Sequence, residues 1–165
     1  MIIRTTAKLL KTSKIQAIKN SDESNTNLPG EWYASLVSMG RPGKLAIHFL
    51  HYPSMLTILI PGKSLNKALK ILPLRCESLL NRLNFSSLIN IFQLNQPPQV
   101  FTTNSRSILA HITQIKFSLE IHLSEAKSDD EIDWDKLEEI YAEYILSRNK
   151  IYVKPIEILA EFVSN

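Results

Sequence analysis

Residues 31 to 62, EWYASLVSMGRPGKLAIHFLHYPSMLTILIPG, carry the reading on which the fold turns. Glu31 to Met39 reads as a strand, and Gly40-Arg41-Pro42-Gly43 after it is a connection suited to a hairpin. Lys44 to Tyr52 is a second strand, with Leu45, Ile47 and Phe49 on one face and Ala46, His48 and Leu50 on the other. Ser54 to Ile60 is a third, apolar on both faces, which predicts a central strand covered on two sides. Pro53 and Pro61 bracket it, because proline cannot donate to a ladder. An antiparallel meander is the expected result.

Upstream, Ile2, Ile3 and Arg4 suggest a short first strand. Thr5 or Thr6 can then cap a short helix carrying Leu9, Leu10 and Ile15. Asn20 to Gly30 is polar and rich in turn formers, as a surface loop is. Downstream, Ser64 opens a helical pattern in which Leu65, Ala68, Leu69, Leu72, Cys76, Leu79, Leu80 and Leu83 recur at three- and four-residue intervals. Pro73 interrupts it and predicts a kink or a new helix start. Residues 86–95 fit no single pattern, and Gln96-Pro97-Pro98 ends them. Val100 and Phe101 suggest a last short strand, after which Asn104 or Ser105 caps the clearest helix, lined by Ile108, Ile112, Ile115 and Leu119. Asp133 caps a further helix, and Pro155 opens a short one through Val163. Without repeats or a linker, the expectation is one α+β domain: a small, mainly antiparallel sheet of roughly three to five strands covered by several helices.

A chain of 165 residues with 44% hydrophobic and 21% charged content can build an ordinary core. Its single cysteine, Cys76, lies in an apolar stretch with no local base, so a packed thiol is expected rather than a reactive one. Met1-Ile2-Ile3-Arg4 leads into lysines and not into an apolar run, and Met55 to Ile60 is far too short to span a bilayer, so no membrane association and a cytoplasmic location are the expectation.

The net charge of +3 is unevenly spread. Twelve bases stand against four acids up to Phe85, a balance of +8, and the remainder carries −5 with its acids crowded between Asp129 and Glu143. Such asymmetry points to a basic face for an anionic partner, or to two halves that pack together and neutralise each other. Arg4, Lys8, Lys11 and Lys14 are the candidate nucleic-acid patch, since phosphate attraction needs only clustered cations. No aromatic is interleaved for base stacking, which argues against single-strand recognition.

Other motifs are weaker. Thr57 to Ser64 (TILIPGKS) ends like a phosphate loop but lacks its first glycine, leaving at most an anion site at Lys63 and the amides of Ser64 and Leu65. His48 and His51 sit at odd separation in a strand and so face opposite ways. His111 and His122 lie about 16 Å apart along a helix, and no metal site follows from either pair. Asp129, Glu131 and Asp133 are spaced as in a calcium loop, but Trp134 and Ile140 stand where glycine and glutamate are required. No cofactor is implied.

Several segments together resemble one family. Thr6-Ala7-Lys8-Leu9-Leu10-Lys11 after a short strand, Gly30-Glu31-Trp32-Tyr33-Ala34-Ser35-Leu36, the third strand ending in Pro61-Gly62, and Thr103-Asn104-Ser105-Arg106-Ser107-Ile108-Leu109 are similar to a bacterial and phage domain-of-unknown-function family of the DUF6933 type. The resemblance spans nearly the whole chain. Ser105, Ala110 and Thr113 depart from its usual residues at the head of the long helix. The family implies no established activity. Arg106, in the first turn of a helix where a cation opposes the dipole, is expected to be held by a carboxylate or a bound anion, and with Asn104 and Ser107 is the candidate polar site.

Three functions fit these features. The leading one is a non-enzymatic binding module for nucleic acid or an acidic protein partner, using Arg4, Lys8, Lys11, Lys14 and Lys63. The second is a small enzyme with its site around Arg106. The third is an inhibitor whose acidic helix, Asp133 to Leu146, mimics nucleic acid.

Overall fold

The structure is a computed structural model that describes residues 1–19, 29–103, 105–148 and 151–164. The loop expected over residues 20–30 therefore lies largely outside the described residues, as does Asn104. A five-stranded sheet has the order β4-β3-β2-β1-β5, formed by β1 (Ile2–Thr5), β2 (Glu31–Ser38), β3 (Leu45–Tyr52), β4 (Thr57–Pro61) and β5 (Gln99–Thr102). The meander is present: Ala34 lies opposite Phe49, and Phe49 opposite Ile58, in antiparallel register. β1 adds to β2 in parallel, Arg4 beside Tyr33, and β5 adds to β1 in parallel, Arg4 beside Phe101. These parallel pairings follow from their connections. β1 leads into a helix, α1 (Ala7–Ser13), before the chain returns to β2, and only a long crossover can join parallel neighbours.

Strand alternation divides the interior in two. On one face Trp32, Ala34, Leu36, Ile47, Phe49, Ile58 and Ile60 pack against Leu9 of α1, the buried stripe of α2 (Leu65–Arg82), and Leu88, Phe92 and Leu94 of the turns after it. On the other, Tyr33, Val37, Ala46, Leu50 and Leu59 pack against Ile108, Ile112, Ile115, Leu119 and Leu123 of α3 (Arg106–Glu125). Ser105 caps α3, its hydroxyl accepting from the Ile108 amide, and Asp133 caps α4 (Trp134–Ala142) by accepting from Lys136. A two-stranded hairpin of β6 (Leu146–Arg148) and β7 (Ile151–Val153) precedes α5 (Pro155–Ser164), whose first residue is Pro155.

Two sequence expectations need correction. The Ser54–Ile60 run forms β4, which is an edge strand and not a central one. It is apolar on both faces because α2 covers one side and α4 packs against it as well. Its outward backbone is served by a side chain: the fully buried Glu138 of α4 accepts from the Leu59 amide at 2.9 Å. No new helix starts at Pro73; α2 runs continuously through it from Leu65 to Arg82. Loss of one backbone bond there is outweighed by the apolar stripe on either side. Among the described residues no helix is long and apolar enough to cross a membrane.

Candidate anion-binding face

α1 begins after Thr6, which is extended but makes no side-chain capping bond, and ends at Lys14, whose left-handed backbone (φ 55°) returns its amide to Leu10 and Lys11. Ser13 fastens this end to the start of α2. Its hydroxyl donates to the Lys63 carbonyl at 3.0 Å and accepts from the Leu65 amide at 3.1 Å. The latch has two consequences. It joins the end of α1, which carries Lys8, Lys11 and Lys14 in or just after it, to the start of α2, which Lys63 precedes and which carries Lys67 and Lys70. It also occupies the Leu65 amide, one of the two proposed for an anion site at residues 63–65. Lys8, Lys11, Lys14, Lys63, Lys67 and Lys70 are all exposed, and none of them forms an ion pair among the described residues.

The other early cations, Lys19 excepted, are engaged elsewhere. Arg4 does not belong to the exposed patch. It points from β1 into the α3 side of the sheet, nearly fully buried, and forms a two-pronged pair with Glu31 of β2 at 2.5 and 2.8 Å. The Tyr33 hydroxyl approaches the same carboxylate at 3.4 Å, and the guanidinium lies 5.8 Å from the Phe101 ring centre. Arg41 and Lys44 both hold Asp129, each at 2.7 Å. Those two cations, with a direct hydrogen bond from Lys44, keep the Asp129 carboxyl below its ordinary range.

Arg75 and Arg82 of α2 meet the acids of α4. Arg75 pairs with Asp135 and Glu138, and Arg82 with Glu138 and Glu139. Burial pushes the Glu138 carboxyl up, opposed by the Leu59 amide and the two guanidiniums. Lys154 takes Glu143 at 3.0 Å. The two halves thus neutralise each other in part, while the α1–α2 lysines form no ion pair among the described residues. The acids of α4, on which a nucleic-acid mimic would depend, are the ones consumed.

The remaining candidates disperse. Arg106 and Ser107 are exposed at the head of α3, Ser107 bonded to Ser105 at 3.0 Å, and Arg106 forms no ion pair among the described residues. The carboxylate expected to hold Arg106 is thus absent among them. Lys63 lies at the α1–α2 junction and not beside Arg106. The two strand histidines do face opposite sides, and both are fully buried. His51 sits between Trp32 and Phe92, its Nε2 donating to the Pro29 carbonyl at 2.8 Å and its Nδ1 accepting from Ser54 at 2.7 Å. His48 has its Nε2 3.3 Å from Thr57 Oγ1. Burial lowers His48 to about 3, with the Lys116 charge adding to the effect, and lowers His51 to about 4 despite the Pro29 bond. Cys76 is buried and its thiol pushed up by that burial, as a packing residue would be. The calcium-like acids have structural work: Asp129 holds Arg41 and Lys44, Glu131 accepts from the Lys127 amide, and Asp133 caps α4.

Sequence reading missed Ser13, Glu138 and the Arg4–Glu31 pair. Serine near a helix end is too common to mark a latch. Glu138 carries a signal in retrospect, since it falls on the apolar side of α4 beside Leu137 and Tyr141.

What these elements define is an α+β domain whose α1–α2 lysines form no ion pair among the described residues, while Arg4, Arg41, Lys44, Arg75 and Arg82 are paired internally. The chain belongs to the family described as Domain of unknown function (DUF6933), whose model matches residues 2–158. No curated protein and no solved structure matches it.

Proposed function

We propose that this protein is a non-enzymatic binding module that places the α1–α2 lysine surface on the phosphate backbone of duplex nucleic acid. The observation behind the reading is the selective absence of partners. Arg4, Arg41, Lys44, Arg75 and Arg82 each have a carboxylate, while Lys8, Lys11, Lys14, Lys63, Lys67 and Lys70 have none among the described residues. Lysines presented on helices, without exposed aromatics among them, suit sequence-independent phosphate contact better than base stacking. The setting we propose is the cytoplasm of a bacterium or the infection cycle of a phage, as the family resemblance implies.

Fluorescence anisotropy with labelled duplex DNA, single-stranded DNA and RNA tests the reading. With about four to six phosphate contacts, affinity should fall roughly 10²- to 10³-fold between about 50 and 200 mM salt. Changing Lys8, Lys11 and Lys14 together to glutamate should abolish most binding and flatten the salt slope by about three. An acidic protein partner is the competing reading. Polyglutamate bound in preference to duplex at matched charge would select it, and no binding to any polyanion at low salt would overturn the basic-face reading altogether.

A further inference from the structure

A second surface lies on the solvent side of α4 and the turn after it, before the β6–β7 hairpin. Lys136, Ile140 and Glu143 follow one another at the four- and three-residue steps that keep side chains on one helix face. The opposite face of α4 is the buried one, with Leu137, Glu138 and Tyr141. Ile140 nevertheless stays 44% exposed, beside it Ile145 is 56% exposed, and Tyr152 of β7 is 77% exposed. Tyr152 is paired with Ser147, which puts it on the hairpin face opposite the inward Leu146–Val153 pair. Lys136, Glu139, Ile140, Glu143, Tyr144 and Ile145 line a groove of about 760 Å³ whose walls are mostly apolar. The hairpin has three residues per strand, and no other strand of the described residues extends either of its edges. So short a hairpin gains stability from whatever covers it.

We infer that this surface is a self-association interface occupied by a second copy of the same chain, related by a two-fold axis over Ile140. The rim charges identify the occupant. Lys136 is exposed and forms no ion pair among the described residues, whereas Glu143, three residues beyond Ile140, is exposed and held only by Lys154. At 1.5 Å per residue, the lysine lies about 6 Å and the glutamate about 4.5 Å from Ile140 along the axis, on opposite sides. Antiparallel apposition of two α4 helices therefore sets Lys136 of each copy against Glu143 of the other, with Ile140 at the centre and Ile145 beside it. Such self-complementarity is what an isologous contact requires. A rim of one sign would instead call for an oppositely charged partner, and carboxylates beside the apolar residues oppose a lipid surface.

Sedimentation equilibrium over about 1 µM to 1 mM protein tests the interface. Wild type should pass from monomer to dimer within that range, as small interfaces do. Ile140→Glu, at an exposed site, should weaken dimerisation roughly tenfold or more with an unchanged circular dichroism spectrum. Lys136→Glu and Glu143→Lys should each weaken it severalfold, and the two together should restore it. A chain that stays monomeric throughout would overturn the inference. So would a dimer indifferent to Ile140→Glu but broken by Phe117→Glu, which would move the contact to the exposed apolar residues of α3. Nucleic-acid binding by the isolated lysine surface is read separately, so either result leaves the other standing.

Discussion

Taking a guanidinium and a carboxylate out of water costs several kcal/mol per ion, and the Arg4–Glu31 pair offsets this with two charge-assisted hydrogen bonds and the adjoining Phe101 ring. Removing one partner strands the other. Arg4→Ala or Glu31→Ala should therefore cost about 3–5 kcal/mol in urea unfolding, whereas Arg4→Met with Glu31→Met should recover most of that loss. Equal destabilisation by the double variant would show that the pair contributes more than its own neutralisation. In the sequence Arg4 stands with Lys8, Lys11 and Lys14 as one more cation in a basic run, and nothing local separates it from them. Its burial depends on β5 arriving on its far side, a contact made across 97 residues between Arg4 and Phe101.

Among the elements, β4 shows how an edge strand escapes the hazard of unpaired backbone. Pro61 ends it without a free amide, and Glu138 takes the Leu59 amide while Arg75 and Arg82 hold its carboxylate from α2. One side chain thus ties strand edge, α4 and α2 together. Glu138→Ala leaves a buried amide and two guanidiniums short of an acceptor, and should destabilise the protein by about 3–5 kcal/mol, with hydrogen exchange at Leu59 rising far more than at Phe49 in central β3. Uniform exchange at the two positions would argue against a local edge role. Element types were readable at this scale. The meander, the Ser105 and Asp133 caps and the Pro155 start all follow from short-range chemistry. The position of β4 was not readable, because a strand buried on two faces looks the same whether a strand or a helix lies along its edge.

For the whole molecule, acidity should be a stronger stress than the net charge suggests. His48 and His51 are neutral in the fold, with values lowered from 6.5 to about 3 and about 4. Above pH 6.5 both folded and unfolded chains hold these rings neutral, and the two contribute no pH dependence. Below it the unfolded chain takes up protons that the folded chain refuses, so stability falls as the pH drops from 6.5 towards 4. The loss is on the order of a few kcal/mol for each ring. A second proton on His51 would also remove the Nδ1 acceptor to which the Ser54 hydroxyl donates. Urea melts across that window should show the decline, and His51→Gln should lessen its slope. A midpoint constant from neutrality to about pH 4.5 would contradict the buried-neutral assignment.

At this scale the division between chain and fold is clear. Local periodicity, caps and proline positions determined an α+β domain, its meander and a surplus of cations in its first half, because those properties depend on neighbours a few residues away. Tertiary structure alone decided which cations are free. Arg4, Arg41, Lys44, Arg75 and Arg82 meet acids between 27 and 88 residues distant, while α1 and the start of α2 meet none among the described residues. Charge is a property of the residue, but neutralisation is a matter of distance in space, and distance in space is set only when the sheet closes.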